Sequence, residues 1–116
     1  LDSYKDDNFA SLAELEILGA DGNPVSRMNW KIAYADSEEV NAANNAADKV
    51  YDLQESTYWH TEYKFGKPGH PHQIVIDLGE KEKGTGFRYL PRAEQDAAGM
   101  IKNYRIYLKT EDFKYD

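Results

Sequence analysis

The sequence predicts an all-β fold, a β-sandwich of the jelly-roll type. Short segments alternate apolar and polar residues, which is the period of a strand with one buried face. Turns rich in Gly and Pro separate these segments, and almost no stretch shows a helical period. The chain has 116 residues, of which 41% are hydrophobic, and no cysteine. It therefore fits one domain, residues 1–116, that buries a core without disulfides.

The first half of the chain contains two predicted strands. Residues 11–18 place three apolar side chains on one face and two glutamates on the other: Ala13, Leu15 and Ile17 against Glu14 and Glu16. Residues 29–34 alternate again, with Trp30, Ile32 and Tyr34 on a common face. The polar segment 36–48 predicts a loop with a short helical turn near residues 44–49.

The second half predicts three further strands. Residues 74–78 and 87–89 alternate clearly, and residues 101–108 place Tyr104, Ile106 and Leu108 on one face. Loops are expected at residues 63–71, 79–86 and 93–99, because Gly, Pro and charged residues concentrate there.

The charge excludes some partners. Acidic residues number 21 and basic residues 14, which gives a net charge of −7. A nucleic-acid partner requires a basic face, and no apolar run reaches the roughly 18 residues of a membrane span. We therefore expect no nucleic acid and no membrane insertion. Carboxylates are plentiful, but no paired-carboxylate, Ser-His-Asp or phosphate-loop motif indicates catalysis.

Three motifs follow one another in order. Residues 56–61 read Ser-Thr-Tyr-Trp-His-Thr, residues 72–79 read His-Gln-Ile-Val-Ile-Asp-Leu-Gly, and residues 86–92 read Gly-Phe-Arg-Tyr-Leu-Pro-Arg. This order resembles the discoidin superfamily, the coagulation factor V/VIII C-type domain, and its bacterial galactose-binding-like carbohydrate-binding modules. The resemblance implies an eight-stranded jelly roll with ligand loops at one rim and often a buried structural calcium. It also implies that Trp59 is a core residue.

The strand order departs from that family. The strand that usually ends such domains, matched by residues 12–18, comes first here. Either the module is circularly permuted, which we favour, or residues 1–18 close a preceding domain. The chain starts without Met and reads as part of a longer precursor, expected to be the C-terminal part of a larger secreted glycoside hydrolase.

The resemblance implies a calcium site. The family's loop matches residues 52–59, where Asp52 and Thr57 are retained, and Glu14 matches a glutamate on the terminal strand. Hard oxygen donors from a tight loop suit calcium. Leu53 stands where the family has glycine, and Gln54 where it has a second aspartate. We expect a leucine to disfavour the left-handed backbone of that loop. The alternative is an ordinary loop in which Thr57 caps a turn.

The resemblance also implies a sugar site. Arg92 matches the ligand-binding arginine that follows a Leu-Pro corner, and the candidates beside it are His60, Glu62 and Tyr63. An aromatic ring stacks on the apolar face of a hexose, while arginine supplies paired donors. The alternatives are a surface ion pair for Arg92 with Glu94 or Asp96, and a structural hydrogen bond for His60.

These residues predict a non-catalytic carbohydrate-binding module that targets an appended glycan-degrading enzyme to its substrate. The alternative is a structural spacer that packs against a catalytic domain without binding sugar. The expected partners are a terminal sugar of a glycan and the appended catalytic domain. The expected location is secreted, periplasmic or on the cell surface of a bacterium.

Overall fold

A computed structural model describes residues 2–4, 7–79, 84–92 and 98–107. Within them the chain is built almost wholly of strands, in the order β1 Asp2–Ser3, β2 Ser11–Leu12, β3 Glu14–Leu18, β4 Lys31–Ala35, β5 Trp59–His60, β6 Ile74–Asp77, β7 Gly86–Leu90 and β8 Ile101–Asn103. The one helical element among the described residues is a 3₁₀ helix, Ala47–Tyr51. No helix in this part of the chain is long and apolar enough to cross a membrane.

The strands associate as four antiparallel pairs: β1 with β8, β2 with β5, β3 with β7, and β4 with β6. The longest register runs from Glu14 opposite Leu90 to Leu18 opposite Gly86. In every pair the two strands are far apart in sequence, as expected for Greek-key and jelly-roll connections. The predicted all-β, galactose-binding-like sandwich is confirmed.

The predicted strand 11–18 is in fact two strands, which break at Ala13. β2 pairs with β5, whereas β3 pairs with β7, because the buried Ala13 turns the chain from one partner to the other. Its amide donates to the Leu90 carbonyl at 2.9 Å. Ala13 and Ile17 are buried as predicted, but Glu14 is buried as well. The strands β2 and β3 thus pair with residues 59–60 and 86–90.

The core lies between β2, β5 and the 3₁₀ helix. Its buried members are Ala10, Leu12, Ala47, Val50 and Trp59. The indole N–H of Trp59 donates to the Ser37 carbonyl at 2.8 Å, which satisfies the polar edge of a ring that is 3% exposed. The prediction that Trp59 is a core residue is confirmed. The predicted helical turn exists but begins at Ala47, three residues later than expected.

The last predicted strand is shorter than expected. β8 ends at Asn103, and the side chains of Tyr104 and Ile106 are exposed, so the alternation across residues 101–108 does not mark a continuous strand. Leu108 lies outside the described residues. So do residues 80–83 of the predicted turn at 79–86 and residues 93–97 of the predicted loop at 93–99. Residues 63–71 form a loop as predicted.

Glu39 is a fully buried carboxylate that joins two loops. Its Oε2 accepts the backbone N–H groups of Asn41 and Ala42 at 2.8 and 2.9 Å. Its Oε1 accepts those of Tyr63 and Lys64 at 2.9 and 2.8 Å. These backbone hydrogen bonds lower the pKa of Glu39 to about 2. We call this arrangement the Glu39 cradle, and it fixes the start of the 63–71 loop.

Leu53 adopts the left-handed backbone, with φ at 65°, although its side chain disfavours this conformation. The turn is held by Asp52, whose Oδ1 accepts the Gln54 N–H at 3.0 Å and whose Oδ2 accepts the Thr57 hydroxyl. The Leu53 side chain is 70% exposed and is not held by core packing. The turn therefore stands despite its steric cost.

Replacing Leu53 with glycine should stabilise the domain. Glycine removes the left-handed penalty but gains freedom in the unfolded chain, so the net increase in unfolding free energy is about 0.5–1 kcal/mol. Urea unfolding measures it. Leu53→Ala is the matched control, because it keeps the Cβ and should give no gain. A Leu53→Gly domain less stable than the parent would contradict this account of the turn.

Replacing Glu39 with glutamine should destabilise the domain, because an amide NH₂ would face two of the four N–H donors. We expect the melting temperature to fall by about 5–10 °C in calorimetry. Glu55→Gln, on an exposed side chain, is the control for the lost charge and should have no effect.

The pH dependence of the unsubstituted domain's stability provides a second check. The folded pKa of Glu39 lies below the ordinary 4.5, so its stabilisation is present above pH 4.5 and is lost as pH falls toward 2. Glu39→Gln should lack this component of acid unfolding. Equal acid sensitivity of the unsubstituted protein and Glu39→Gln would show that the charge of Glu39 does not stabilise the fold.

Candidate functional site

A cavity of about 330 Å³ opens at one end of the sandwich, where β5, the residues after β7 and two loops meet. We call it the aromatic pocket. Its lining consists of three aromatic rings, a histidine, two cationic side chains and one small residue: Phe9, Tyr58, Tyr63, His60, Lys67, Arg92 and Ala98. Its volume is at the lower end of the range found for small-molecule sites.

Arg92 follows the Leu90-Pro91 corner at the end of β7, and two contacts hold its guanidinium in the pocket. The group lies over the Tyr58 ring, 4.2 Å from the ring centroid. One Nη donates to the Tyr58 hydroxyl at 3.0 Å and the other to the Ala98 carbonyl at 3.3 Å. Stacking and hydrogen bonding together fix the plane of the guanidinium. A fixed plane is what paired recognition of sugar hydroxyls requires.

His60 is the centre of the aromatic wall. Its ring lies 5.2 Å from Phe9 and 5.0 Å from Tyr63, the latter edge to face. Its Nδ1 lies 2.6 Å from the Thr61 carbonyl. Burial lowers the pKa of His60, which favours the neutral imidazole at neutral pH. With Nδ1–H donating to Thr61, His60 presents a neutral, oriented ring.

Two histidines hold the segment that carries Phe9. The buried ring of His72 bridges Asp36 at 2.7 Å through Nδ1 and the Asn8 carbonyl at 2.6 Å through Nε2. Burial opposes protonation, but these acceptors raise the pKa of His72. His70 Nε2 lies 3.0 Å from the Asp7 carbonyl. His70 and His72 therefore position the wall of the pocket that contains Phe9.

The opposite wall depends on Gly99. Its φ is 79°, and a Cβ there would lie 2.8 Å from the Ala10 carbonyl carbon, so no side chain fits. The close approach lets Ser11 bind both neighbouring carbonyls: its N–H donates to Gly99 and its hydroxyl to Ala98, each at 2.8 Å. Ala98 is thereby fixed where its carbonyl meets Arg92.

The structure brings three of the four predicted sugar-site residues together. Arg92, His60 and Tyr63 line the aromatic pocket, and Glu62 does not. The Glu62 carboxylate lies over Gly66, and its N–H donates to Ser37. The ion pair considered for Arg92 involves Glu94 or Asp96, which are outside the described residues.

Sequence reasoning missed four lining residues: Phe9, Tyr58, Lys67 and Ala98. Tyr58 lies inside the 56–61 motif, so its position close to His60 could have indicated that it lines the pocket. Phe9 precedes the region of resemblance, so no motif marked it. A second cavity of about 320 Å³ lies elsewhere, beside Lys31, Glu38 and Tyr51.

The three predicted metal ligands also come together. Glu14 at the start of β3 lies beside Asp52, and Thr57 donates its hydroxyl to Asp52. Burial and the Asp52 carboxylate raise the pKa of Glu14 to about 7, although Arg27 opposes this from 2.8 Å. Burial also raises the pKa of Asp52, but hydrogen bonds from Thr57 and Gln54 outweigh it, so the pKa of Asp52 is lowered.

We call residues 52–57 the metal loop. Together with Glu14 they offer a set of donors that suits a hard cation. It offers two carboxylates, one hydroxyl and the Gln54 carbonyl, which lies 3.2 Å from the Thr57 hydroxyl. The buried Oε2 of Glu14 has no hydrogen-bond partner among the described residues. Those residues contain no group of three or more His, Cys, Asp or Glu side chains that could hold a metal. Calcium held here would thus need carbonyl, hydroxyl and water ligands.

Two kinds of comparison show which family this chain belongs to. A sialidase of Micromonospora viridifaciens is 36% identical over 93 residues, which is 79% of this chain and 14% of the sialidase. A galactose oxidase of Gibberella zeae is 32% identical over 91 residues, 78% of this chain and 13% of the oxidase. This chain thus spans about one seventh of each relative. The model of the F5/8 type C domain family matches residues 32–115. With its all-β fold and its rim pocket behind a Leu-Pro-Arg corner, this chain belongs to the F5/8 type C domain family.

Proposed function

We propose that this chain is a non-catalytic carbohydrate-binding module that binds a terminal sugar in the aromatic pocket. The observation that carries the proposal is the fixed guanidinium of Arg92, stacked on Tyr58 and facing an aromatic wall. One sugar ring offers an apolar face to the rings and hydroxyl pairs to the arginine. A pocket of about 330 Å³ has room for one such ring.

The chemistry of the pocket favours binding over catalysis. Most glycoside hydrolases use a pair of carboxyl groups that flank the scissile bond. The described residues that line the pocket include neither Asp nor Glu. No Ser, Thr or Cys that could act as a nucleophile with His60 is among the same residues. We therefore assign recognition, and no bond cleavage, to this site.

The function in the parent protein is to localise an enzyme. One relative is a sialidase and another a galactose oxidase, and in each the matched region is a small part of the chain. A tethered module raises the effective concentration of its enzyme near a polymeric substrate. We propose the same arrangement here, with an appended glycan-degrading enzyme in a secreted, periplasmic or surface-exposed bacterial protein.

We further propose that calcium binds the metal loop in a structural role. Glu14 comes from β3, and Asp52, Gln54 and Thr57 come from the loop that leads into Tyr58. An ion shared by these oxygens would tie β3 to the loop before β5. The orphaned Oε2 of Glu14 and the left-handed turn at Leu53 support this proposal.

Replacing Arg92 with alanine should reduce sugar affinity at least tenfold, because it removes the charge-assisted donors. Isothermal titration against galactose, N-acetylgalactosamine, N-acetylglucosamine and fucose measures the effect. Arg88→Ala is the matched control: Arg88 is on β7 but pairs with Glu16 on the surface, at 2.6 Å. Unchanged affinity in Arg92→Ala would contradict the site. Absence of binding to the whole panel by the folded parent would favour the spacer function.

Calcium should raise the melting temperature of metal-stripped protein. A ligand at a hundred times its Kd adds about 2.7 kcal/mol to the free energy of unfolding. Glu14→Gln should abolish most of this increase, because it removes one of two carboxylate ligands. Glu16→Gln, two residues along the same strand, should retain it. An equal melting temperature with and without millimolar calcium would refute the metal proposal.

A further inference from the structure

His72 faces more hydrogen-bond acceptors than a neutral imidazole can serve. Its Nδ1 lies 2.7 Å from the Asp36 carboxylate and its Nε2 lies 2.6 Å from the Asn8 carbonyl. A carboxylate and a carbonyl both accept, so each ring nitrogen needs a proton, and a neutral ring carries only one. The side chain is 1% exposed, so water has almost no access to either nitrogen. The geometry is therefore that of an imidazolium.

The charges around His72 set the pH range in which it loses this proton. Burial opposes the charge, but the Asp36 and Asn8 acceptors outweigh it and raise the pKa of His72 above its ordinary 6.5. The His70 ring lies 4.7 Å away between centroids, and His70 interacts electrostatically with Asp7. The positive charge of the amino terminus opposes protonation of His72. Both hydrogen bonds are thus present below pH 6.5, and one is lost as the pH rises through the pKa.

Loss of the proton acts on the segment that carries Phe9. A carboxylate is a stronger acceptor than a carbonyl, so the remaining proton stays on Nδ1 and faces Asp36. The lone pair of Nε2 then faces the Asn8 carbonyl oxygen from 2.6 Å, and two acceptors at that distance repel each other. Asn8 precedes Phe9, whose ring lines the aromatic pocket and lies 5.2 Å from His60. One wall of the pocket therefore depends on the charge of His72.

The other two histidines do not share this dependence. His70 has one hydrogen-bond partner among the described residues, the Asp7 carbonyl, 3.0 Å from its Nε2. A neutral ring with its proton on Nε2 satisfies that contact, so His70 keeps its hydrogen bond in either charge state. Burial lowers the pKa of His60, so His60 gains a second proton only below pH 6.5. Above pH 6.5, His72 is the histidine whose hydrogen bonding changes.

We propose that sugar binding in the aromatic pocket weakens when His72 loses its second proton. The charged ring holds Asn8, and through it Phe9, where it completes the aromatic wall. The neutral ring releases this segment, and the sugar loses part of its apolar contact. His72 is a positioning residue, because it is not among the residues that line the pocket. This inference rests on the proposed function of the pocket and adds its regulation by pH.

Two titrations of the unsubstituted domain test the inference between about pH 5.5 and pH 9. NMR of the His72 imidazole gives the midpoint at which the ring loses its proton, and we expect it above 6.5. Isothermal titration gives the affinity for the tightest binder among galactose, N-acetylgalactosamine, N-acetylglucosamine and fucose. We expect this affinity to fall about fivefold as the pH passes the midpoint, because a hydrogen bond that supports the wall is lost.

Asp36→Asn should remove the pH dependence and keep the binding. The Oδ1 of Asp36 accepts the Gln73 N–H at 2.8 Å, so an asparagine there would turn its NH₂ toward His72. The NH₂ would donate to Nδ1 of the neutral ring, which then keeps its proton on Nε2 for the Asn8 carbonyl. At pH 9 this variant should reach the highest affinity of the unsubstituted domain. Asp48→Asn loses the same charge beside Lys49, and as the matched control it should retain the fivefold fall.

His72→Gln should bind with the lower affinity across the whole pH range. Its amide does not titrate, and it cannot donate to both acceptors from the positions of the two ring nitrogens. His70→Gln is the matched control and should keep the fall of affinity with pH. All of these variants retain the amino terminus, which titrates in the same range, so a fall that the amino terminus caused would persist in each of them.

The outcomes separate this inference from the function beneath it. A constant affinity while the His72 ring titrates, a His72 midpoint below 6.5, or an equal fall in Asp36→Asn would overturn the pH dependence and leave sugar binding intact. If none of the four sugars binds to the folded domain at any pH, both proposals fail.

Discussion

One buried charge organises the binding end of this domain. Glu39 carries no catalytic chemistry, but its carboxylate accepts four backbone N–H groups from two loops that have no regular structure of their own. Loops that cannot pair with strands must find acceptors elsewhere, and a carboxylate offers enough lone pairs to serve four donors. Tyr63 is placed by this cradle, and the shape of the aromatic pocket depends on it.

One short segment, residues 57–60, connects the metal loop to the aromatic pocket. Thr57 is bound to Asp52, Tyr58 carries the Arg92 guanidinium, Trp59 fills the core and His60 forms the pocket wall. Trp59 and His60 are neighbours in β5 and point to opposite faces, one to the core and the other to the pocket. An ion that rigidifies residues 52–57 would therefore also reduce the freedom that Tyr58 and His60 lose when a sugar binds.

The sequence predicted the fold class well, because period-two alternation and Gly/Pro turns are local signals. It also identified Arg92, His60 and Tyr63, which stand next to recognisable motifs. It did not predict Phe9, Lys67 or Glu39, because their roles come from contacts with residues distant in the chain. Phe9 reaches the pocket only because His70, His72 and Gly99 hold the 7–10 segment against it. The sequence could not predict the break at Ala13 for the same reason. The strands that pair with β2 and β3 lie more than 40 residues away in the chain.

The most direct test of the account is an amide-shift map of the ¹⁵N-labelled domain during titration with methyl α-galactopyranoside. The account predicts that the largest shifts fall on Tyr58, His60, Tyr63 and Gly99, which surround the aromatic pocket. The chemical shifts of amides beside Lys31 and Tyr51, at the second cavity, should not change. Shifts concentrated at that second cavity, or saturating ligand without any shift around Arg92, would contradict it.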